Sequence, residues 1–162
     1  MVSAQSNGSD LAARIERIES REAVLRTVHE FSHGFDKRDL GRLLASCAPD
    51  VVWLVAPGHE AVGHDGLRAY AEMAWHQMAG THHWTCNALI DLDGDRATGT
   101  IDVDAVARTR DGGWHQSAAT YHDTYVRLDG RWVIQRRRAA IHATIALAEA
   151  PARHPWGDIA DG

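Results

Sequence analysis

The chain has little of what would tie it to a special environment. Two cysteines, Cys47 and Cys86, stand among 162 residues. They are too few for a disulfide framework and lack metal-ligand spacing, so a reducing cytoplasm is the expected setting. No apolar run approaches the ~20 residues of a membrane span. Met1 to Asp10 show neither the charged start nor the apolar stretch of a signal peptide, and residues 1–9 read as a short disordered leader. Positive charge is not in surplus either: 17 Lys and Arg against 22 Asp and Glu give a net charge of -5. That removes the electrostatic reason to expect nucleic acid or an anionic membrane as partner. There is no glycine-rich phosphate loop and no serine or cysteine elbow for covalent catalysis. Only four prolines punctuate the chain: Pro49 closes a helix, Pro57 ends a strand, and Pro151 and Pro155 mark an irregular tail.

What remains is an ordinary globular composition, 44% apolar and 24% charged, of a length that suits one domain with a sizeable core. The domain is expected over residues 10–148, with 149–162 as a tail that folds back as a flap. Eleven histidines and six tryptophans exceed what a small core requires, and indoles often wall pockets.

A first helix is predicted from about Asp10, its N-cap, to Gly34. Leu11, Ile15, Ile18, Val24, Leu25, Val28, Phe31 and Phe35 recur at three- and four-residue steps, the mark of one buried face. A short helix from Asp39 to Cys47 ends at Ala48-Pro49-Asp50. Val51–Val55 is a strand, and Asp65–Met78 a third helix with Leu67, Tyr70, Met73, Ala74 and Met78 as its apolar positions. Four long strands follow: His82–Leu92, Arg96–Arg110, Gly113–Leu128 and Arg131–Ile145. Asp93-Gly94-Asp95, Asp111-Gly112-Gly113 and Asp129-Gly130-Arg131 between them carry hairpin-turn chemistry. Helices followed by an antiparallel meander mean α+β: a curved sheet wrapped around the helices, a cystatin-like α+β barrel with a conical cavity between the layers.

Two residues bear on chemistry. Asp36 ends the first helix and His83 opens the first long strand. A carboxylate that orients an imidazole makes a base that works near neutral pH. Taken alone, Asp36 could equally be solvated or help cap the next helix, and His83 could be a satisfied core histidine. In Arg136-Arg137-Arg138, strand alternation turns Arg137 opposite to its neighbours, so one sheet face receives a single arginine that needs an anion; Asp123 is its candidate partner. His29 and His33 have metal-compatible i, i+4 spacing, but no further ligands converge with them, and no metal is expected.

Phe35-Asp36, Asp50-Val51-Val52-Trp53, Thr81-His82-His83, Asn87, Asp93-Gly94-Asp95, Tyr121 with Asp123, and Asp129-Gly130-Arg131-Trp132 occur in an order and spacing of their own. Over about Ile15 to Ile145 this pattern resembles the SnoaL-like branch of the nuclear-transport-factor-2-like superfamily. Within that branch it most resembles scytalone dehydratase, bile-acid 7α-dehydratase and hexachlorocyclohexane dehydrochlorinase. The resemblance implies a cofactor-free lyase acting on a small apolar, cyclic substrate. His83 would be the base, Asp36 its orienting carboxylate, and Arg137, five residues after Trp132, the stabiliser of the departing group. Phe31, Phe35, Trp53, His76, Trp84 and Tyr121 would line the substrate's site. The related dehydratases place tyrosines where this chain has Phe31 and Phe35, and a second histidine near Ala107. The alternatives are an isomerase or polyketide-type cyclase of the same fold, or a non-catalytic subunit or ligand-binding module. The related enzymes also imply a homo-oligomer, a trimer before a dimer. Replacing Asp36, His83 or Arg137 should leave folding intact, as each contributes polar function to a cavity wall.

Overall fold

The computed structural model describes residues 4–56 and 58–147. Residues 1–3 of the expected leader and the whole expected flap, 149–162, lie outside the described residues. The first helix, α1 (Ala4–Asp36), begins before Asp10, so residues 4–9 continue the helix and Asp10 is not its cap. Its buried face is Val24, Val28, Phe31 and Phe35, at steps of four, three and four. Leu11, Ile15 and Ile18 share the periodicity but are exposed. A helix of 33 residues is ~50 Å long at 1.5 Å per residue, and its early turns precede the stretch that packs on the sheet.

The end of α1 is fixed by local chemistry. Arg38 adopts the left-handed conformation (φ 57), and the Asp39 N–H reaches back to the Gly34 carbonyl at 2.9 Å, closing the last turn. Asp39 then caps α2 (Leu40–Ala45), its side chain accepting from the Arg42 N–H at 2.9 Å. The second helix stops two residues short of Cys47 because the chain is already extended there. Strand β1 (Cys47–Ala56) includes Pro49 at an irregularity in its pairing, between Cys47 and Val52, where a missing N–H is tolerated. The short strand β2 (His59–Val62) buries only Ala61, too weak an alternation to read beforehand. Helix α3 (Gly63–Gln77) leads into the four long strands, β3 (Met78–Asp93), β4 (Arg96–Thr109), β5 (Trp114–Leu128) and β6 (Arg131–Leu147). The β5–β6 turn holds Asp129 and Gly130 at φ 49 and 76, the pair of positive angles that a two-residue hairpin loop demands.

The six strands form one curved sheet in the order β2-β1-β6-β5-β4-β3. All pairings are antiparallel except β1 with β6, which run parallel and set Trp53 opposite Arg137. The core fills the space between α1, α3 and the sheet, with Phe31, Phe35, Trp53, Leu67, Ile101, Tyr121, Tyr125 and Ile134 all buried.

Gly34 permits the α1–α2 contact. A Cβ there would lie 2.6 Å from the Leu43 backbone nitrogen and 2.8 Å from its Cα, and backbone cannot swing aside. Gly34→Ala is therefore expected to destabilise the fold by about 1–3 kcal/mol, the usual cost of overpacking, although alanine is the better helix former. Urea unfolding checks this; a variant as stable as wild type would show that the helices can separate freely.

Candidate active site

Asp36 is the last residue of α1, and Thr81 and His83 lie near the start of β3, 45 and 47 positions further on. Arg38 ties the two elements together, its guanidinium donating to the Met78 and Ala79 carbonyls at 2.9 and 3.2 Å. Asp36 Oδ1 lies 2.6 Å from His83 Nδ1 and accepts from the Thr81 hydroxyl at 2.9 Å, while Oδ2 accepts from the His83 backbone N–H at 2.8 Å. The carboxylate is thus held at both oxygens, and it fixes the imidazole's tautomer: Nδ1 carries the proton and Nε2 stays free to accept. The Asp36 side chain is 5% exposed and that of His83 18%, so the imidazole is the open end of the pair.

Strand alternation sorts the neighbours. His82 and Trp84 project from the other face of β3, with ring centroids 4.3 Å apart, and Trp84 is 51% exposed. Trp84 therefore cannot wall a site around His83. His76 is also displaced from the expected set: it is exposed at the end of α3, and its carbonyl accepts from Arg110. Trp75 packs inward instead, its ring centroid 6.0 Å from that of Phe35 and its indole N–H bound to the Phe35 carbonyl at 2.8 Å.

The other expected residues connect to the pair through Phe35 by a chain of contacts. Phe35 meets His83 edge-on at 5.7 Å and Trp53 at 6.1 Å. Phe31 meets Trp53 at 5.2 Å. The Arg137 guanidinium lies between the rings of Phe31 and Tyr121, at 4.3 and 4.1 Å from their centroids. Tyr70, read from the sequence only as an apolar helix position, packs edge-on against Trp53 at 4.7 Å. Thr81 was also missed as a functional side chain, although it begins the Thr81-His82-His83 marker.

Arg137 is the single inward arginine of its triplet and is 0% exposed, while Arg136 and Arg138 are exposed. Asp123 takes it in a fork, Oδ1 accepting from Nε at 2.9 Å and Oδ2 from Nη2 at 2.6 Å. Tyr125 donates to the same carboxylate at 2.6 Å. Burial works against the guanidinium's charge, but Asp123 outweighs it and keeps Arg137 ionised. Two donors here have no acceptor among the described residues: Arg137 Nη1 and the indole nitrogen of Trp53. They belong to side chains paired across β1 and β6.

Burial alone would raise the Asp36 pKa. The His83 ring hydrogen bond and charge, the His83 N–H and the Thr81 hydroxyl outweigh it and hold the carboxyl below its ordinary 3.8. A carboxylate depressed in this way stabilises the fold above its unfolded pKa and loses that contribution as pH falls through its lowered folded value. The gap in melting temperature between wild type and Asp36→Asn should be widest near neutral pH and close below about pH 3.8. A gap independent of pH would mean that charge plays no part.

Among the described residues no group of three or more His, Cys, Asp or Glu is placed to hold a metal ion; His29 and His33 are exposed on α1. Among the described residues no helix is long and apolar enough to cross a membrane. Two open clefts, of about 480 and 330 Å³, lie outside this cluster. The larger runs between α1, α2 and the β5–β6 turn, the smaller along the outer ends of β3–β6, and neither contains Asp36 or His83.

The family model for the SnoaL-like domain matches residues 16–138. The chain belongs to the SnoaL-like family. No protein of curated function matches it, but solved structures do. A type 2 hexachlorocyclohexane dehydrochlorinase (LinA) is 25% identical, with TM-score 0.80 over 86% of this chain and 98% of that one. A Novosphingobium aromaticivorans protein provisionally assigned as a scytalone dehydratase is 24% identical, with TM-score 0.76 over 90% and 97%. A Nostoc punctiforme protein of unknown function with a cystatin-like fold is 22% identical, with TM-score 0.62 over 75% and 90%. The last two likenesses are of fold; together with the six-stranded curved sheet they make this SnoaL-like domain a cystatin-like α+β structure.

Proposed function

We propose that this SnoaL-like protein is a lyase that eliminates water or a similar small group from an apolar, cyclic substrate, using only its own side chains. The observation that carries the reading is the 2.6 Å Asp36–His83 contact, which leaves Nε2 of a partly open imidazole as an oriented base. His83 Nε2 removes a proton from a carbon next to an activating group. Asp36 steadies the imidazolium that forms. Arg137, held ionised by Asp123 between the rings of Phe31 and Tyr121, would stabilise the departing oxygen or halide by its charge. Phe31, Phe35, Trp53 and Tyr121 supply the apolar wall.

The dehydrochlorinase likeness supports elimination over the alternatives. Isomerase or cyclase chemistry would share the proton abstraction and differ in what the carbanion does next. The purified protein should be assayed against cyclic β-hydroxy ketones, reading the absorbance of the conjugated product, and against hexachlorocyclohexane, reading chloride release. Mass loss equal to water or HCl supports the lyase. A product of unchanged mass would replace it with an isomerase, and an Asp36→Asn, His83→Ala protein as active as wild type would leave neither.

A further inference from the structure

The larger of the two clefts, about 480 Å³, is of small-molecule size and does not include Asp36 or His83. Three elements each give it one arginine: Arg26 from α1, Arg42 from α2 and Arg131 from the start of β6. The lining holds a single carboxylate, Glu30, which meets Arg26 Nη2 at 3.3 Å and Arg42 Nε at 3.2 Å. Asp39, outside the lining, shares Arg42 at 3.7 Å. The Arg131 side chain has no hydrogen-bond or ion-pair partner among the described residues. Positive charge is thus in surplus here, on a chain whose net charge is -5. Like charges around one cleft repel, and an anion between them removes that cost. The buried members of the lining form a fixed floor. Thr27 Oγ1 donates to the Trp132 carbonyl at 2.8 Å, tying α1 to β6. The Ile134 N–H donates to the Ser46 carbonyl at 2.9 Å, tying the end of α2 to the same strand, and Ser46 Oγ donates to the Leu43 carbonyl at 2.7 Å. The hydroxyl protons of the floor are therefore taken, and the exposed arginines are the charged donors left to a ligand.

We propose that this cleft binds a small organic phosphate, a phosphate monoester with an apolar body, as a second ligand site separate from the acid–base pair. The choice among anions follows from the number and direction of the donors. A carboxylate has two oxygens in one plane and fills one guanidinium fork, as Asp123 does with Arg137. A phosphoryl group has three terminal oxygens pointing in different directions and about two negative charges, so it accepts from arginines that come from three elements. Arginine suits it because the planar fork meets two oxygens at once. Glu30 already holds Arg26 and Arg42 near one another, which lowers the ordering that binding must cost. Arg131 has no partner to leave. The apolar body of the ligand then covers Ala23, Ala45 and Trp132, the largely carbon part of the lining. A ligand seated in this way touches α1, α2 and β6 together, so its binding raises the melting temperature by mass action. The site does not depend on the lyase reading.

The test uses the full chain and phenyl phosphate, with phenol as the uncharged probe, benzoate as the carboxylate and inorganic phosphate as the charge without a body. Titration calorimetry should show phenyl phosphate saturating below about 1 mM, more weakly as salt is added. Phenol should not saturate, and benzoate and inorganic phosphate should each bind at least about tenfold more weakly. Arg131→Gln removes an exposed, unpaired charge and should leave the urea midpoint unchanged. It should weaken phenyl phosphate by about tenfold to a hundredfold, the worth of a hydrogen bond between charged groups. Arg14→Gln, at an exposed arginine of α1 outside the cleft, should change nothing, which separates the site from a general effect of charge. His83→Ala should bind the probe as wild type does. Absence of saturable binding overturns the proposal, as does equal affinity in wild type and Arg131→Gln. Benzoate bound as tightly as phenyl phosphate would overturn the choice of phosphate. A loss in His83→Ala with none in Arg131→Gln would move the ligand to the acid–base pair and remove the cleft as a site.

Discussion

Alanine at His83 is expected to bring elimination down to the background rate in a protein that folds normally. Asp36 is engaged with the imidazole and Asp123 with Arg137, so neither carboxylate is left to serve as a second base. General acid–base catalysis contributes ~10²–10⁴-fold, which sets the scale of the loss. Asp36→Asn should fall short of that: an amide can still hydrogen-bond to Nδ1, but it brings no charge to the imidazolium, and the amide's NH₂ group tends to favour the wrong tautomer. The measurement is initial rate on the substrate found active, with circular dichroism to confirm the fold. A folded His83→Ala enzyme at wild-type rate would end the lyase reading whatever the Asp36–His83 distance.

The second large effect concerns stability. Asp123→Ala should cost about 3–5 kcal/mol, because it strands a fully buried guanidinium; Tyr125 loses its acceptor as well. Arg137→Ala should cost a similar amount by stranding the carboxylate, so the expectation from sequence that folding would be indifferent to Arg137 does not hold for a side chain that is 0% exposed. Replacing the pair together, Asp123→Leu with Arg137→Met, should recover much of the loss, since a buried ion pair is often matched by apolar residues of similar volume. Elimination should not recover with it. Urea midpoints for the two single variants and the double variant decide this. Additive losses would mean that the two groups do not act as a pair.

The contrast between Asp36 and Trp84 shows how far sequence carries. The long strands, their turns and the inward Arg137 follow from period-two alternation and Asp-Gly chemistry, signals written in neighbouring residues. Asp36 and His83 meet because a helix end and a strand start are brought together across 47 positions. No local pattern encodes that, and only the family resemblance suggested it. Trp84 was misplaced although alternation from an inward His83 turns it outward; its aromatic character outweighed its parity. Leu11, Ile15 and Ile18 failed for another reason. Periodicity says which face of a helix is apolar, but not how far along the helix the sheet reaches. The packing of Tyr70 on Trp53 is not legible in the sequence, because a core-facing stripe shows which residues turn inward but not what they meet.

The position of β6 has a consequence for how the protein is made. The last described strand to leave the ribosome lies between β1 and β5, and β1 pairs with nothing else but the short β2. Until β6 arrives, β1 waits with one edge open, and the pairing that sets Trp53 beside Arg137 closes a loop of more than eighty residues. Such distant pairing is slow, since chain entropy must be overcome before any contact rewards it. Arg137, proposed to meet the departing group, is therefore placed by a distant pairing that forms late, and a chain halted anywhere before Arg131 has the aspartate and histidine without it.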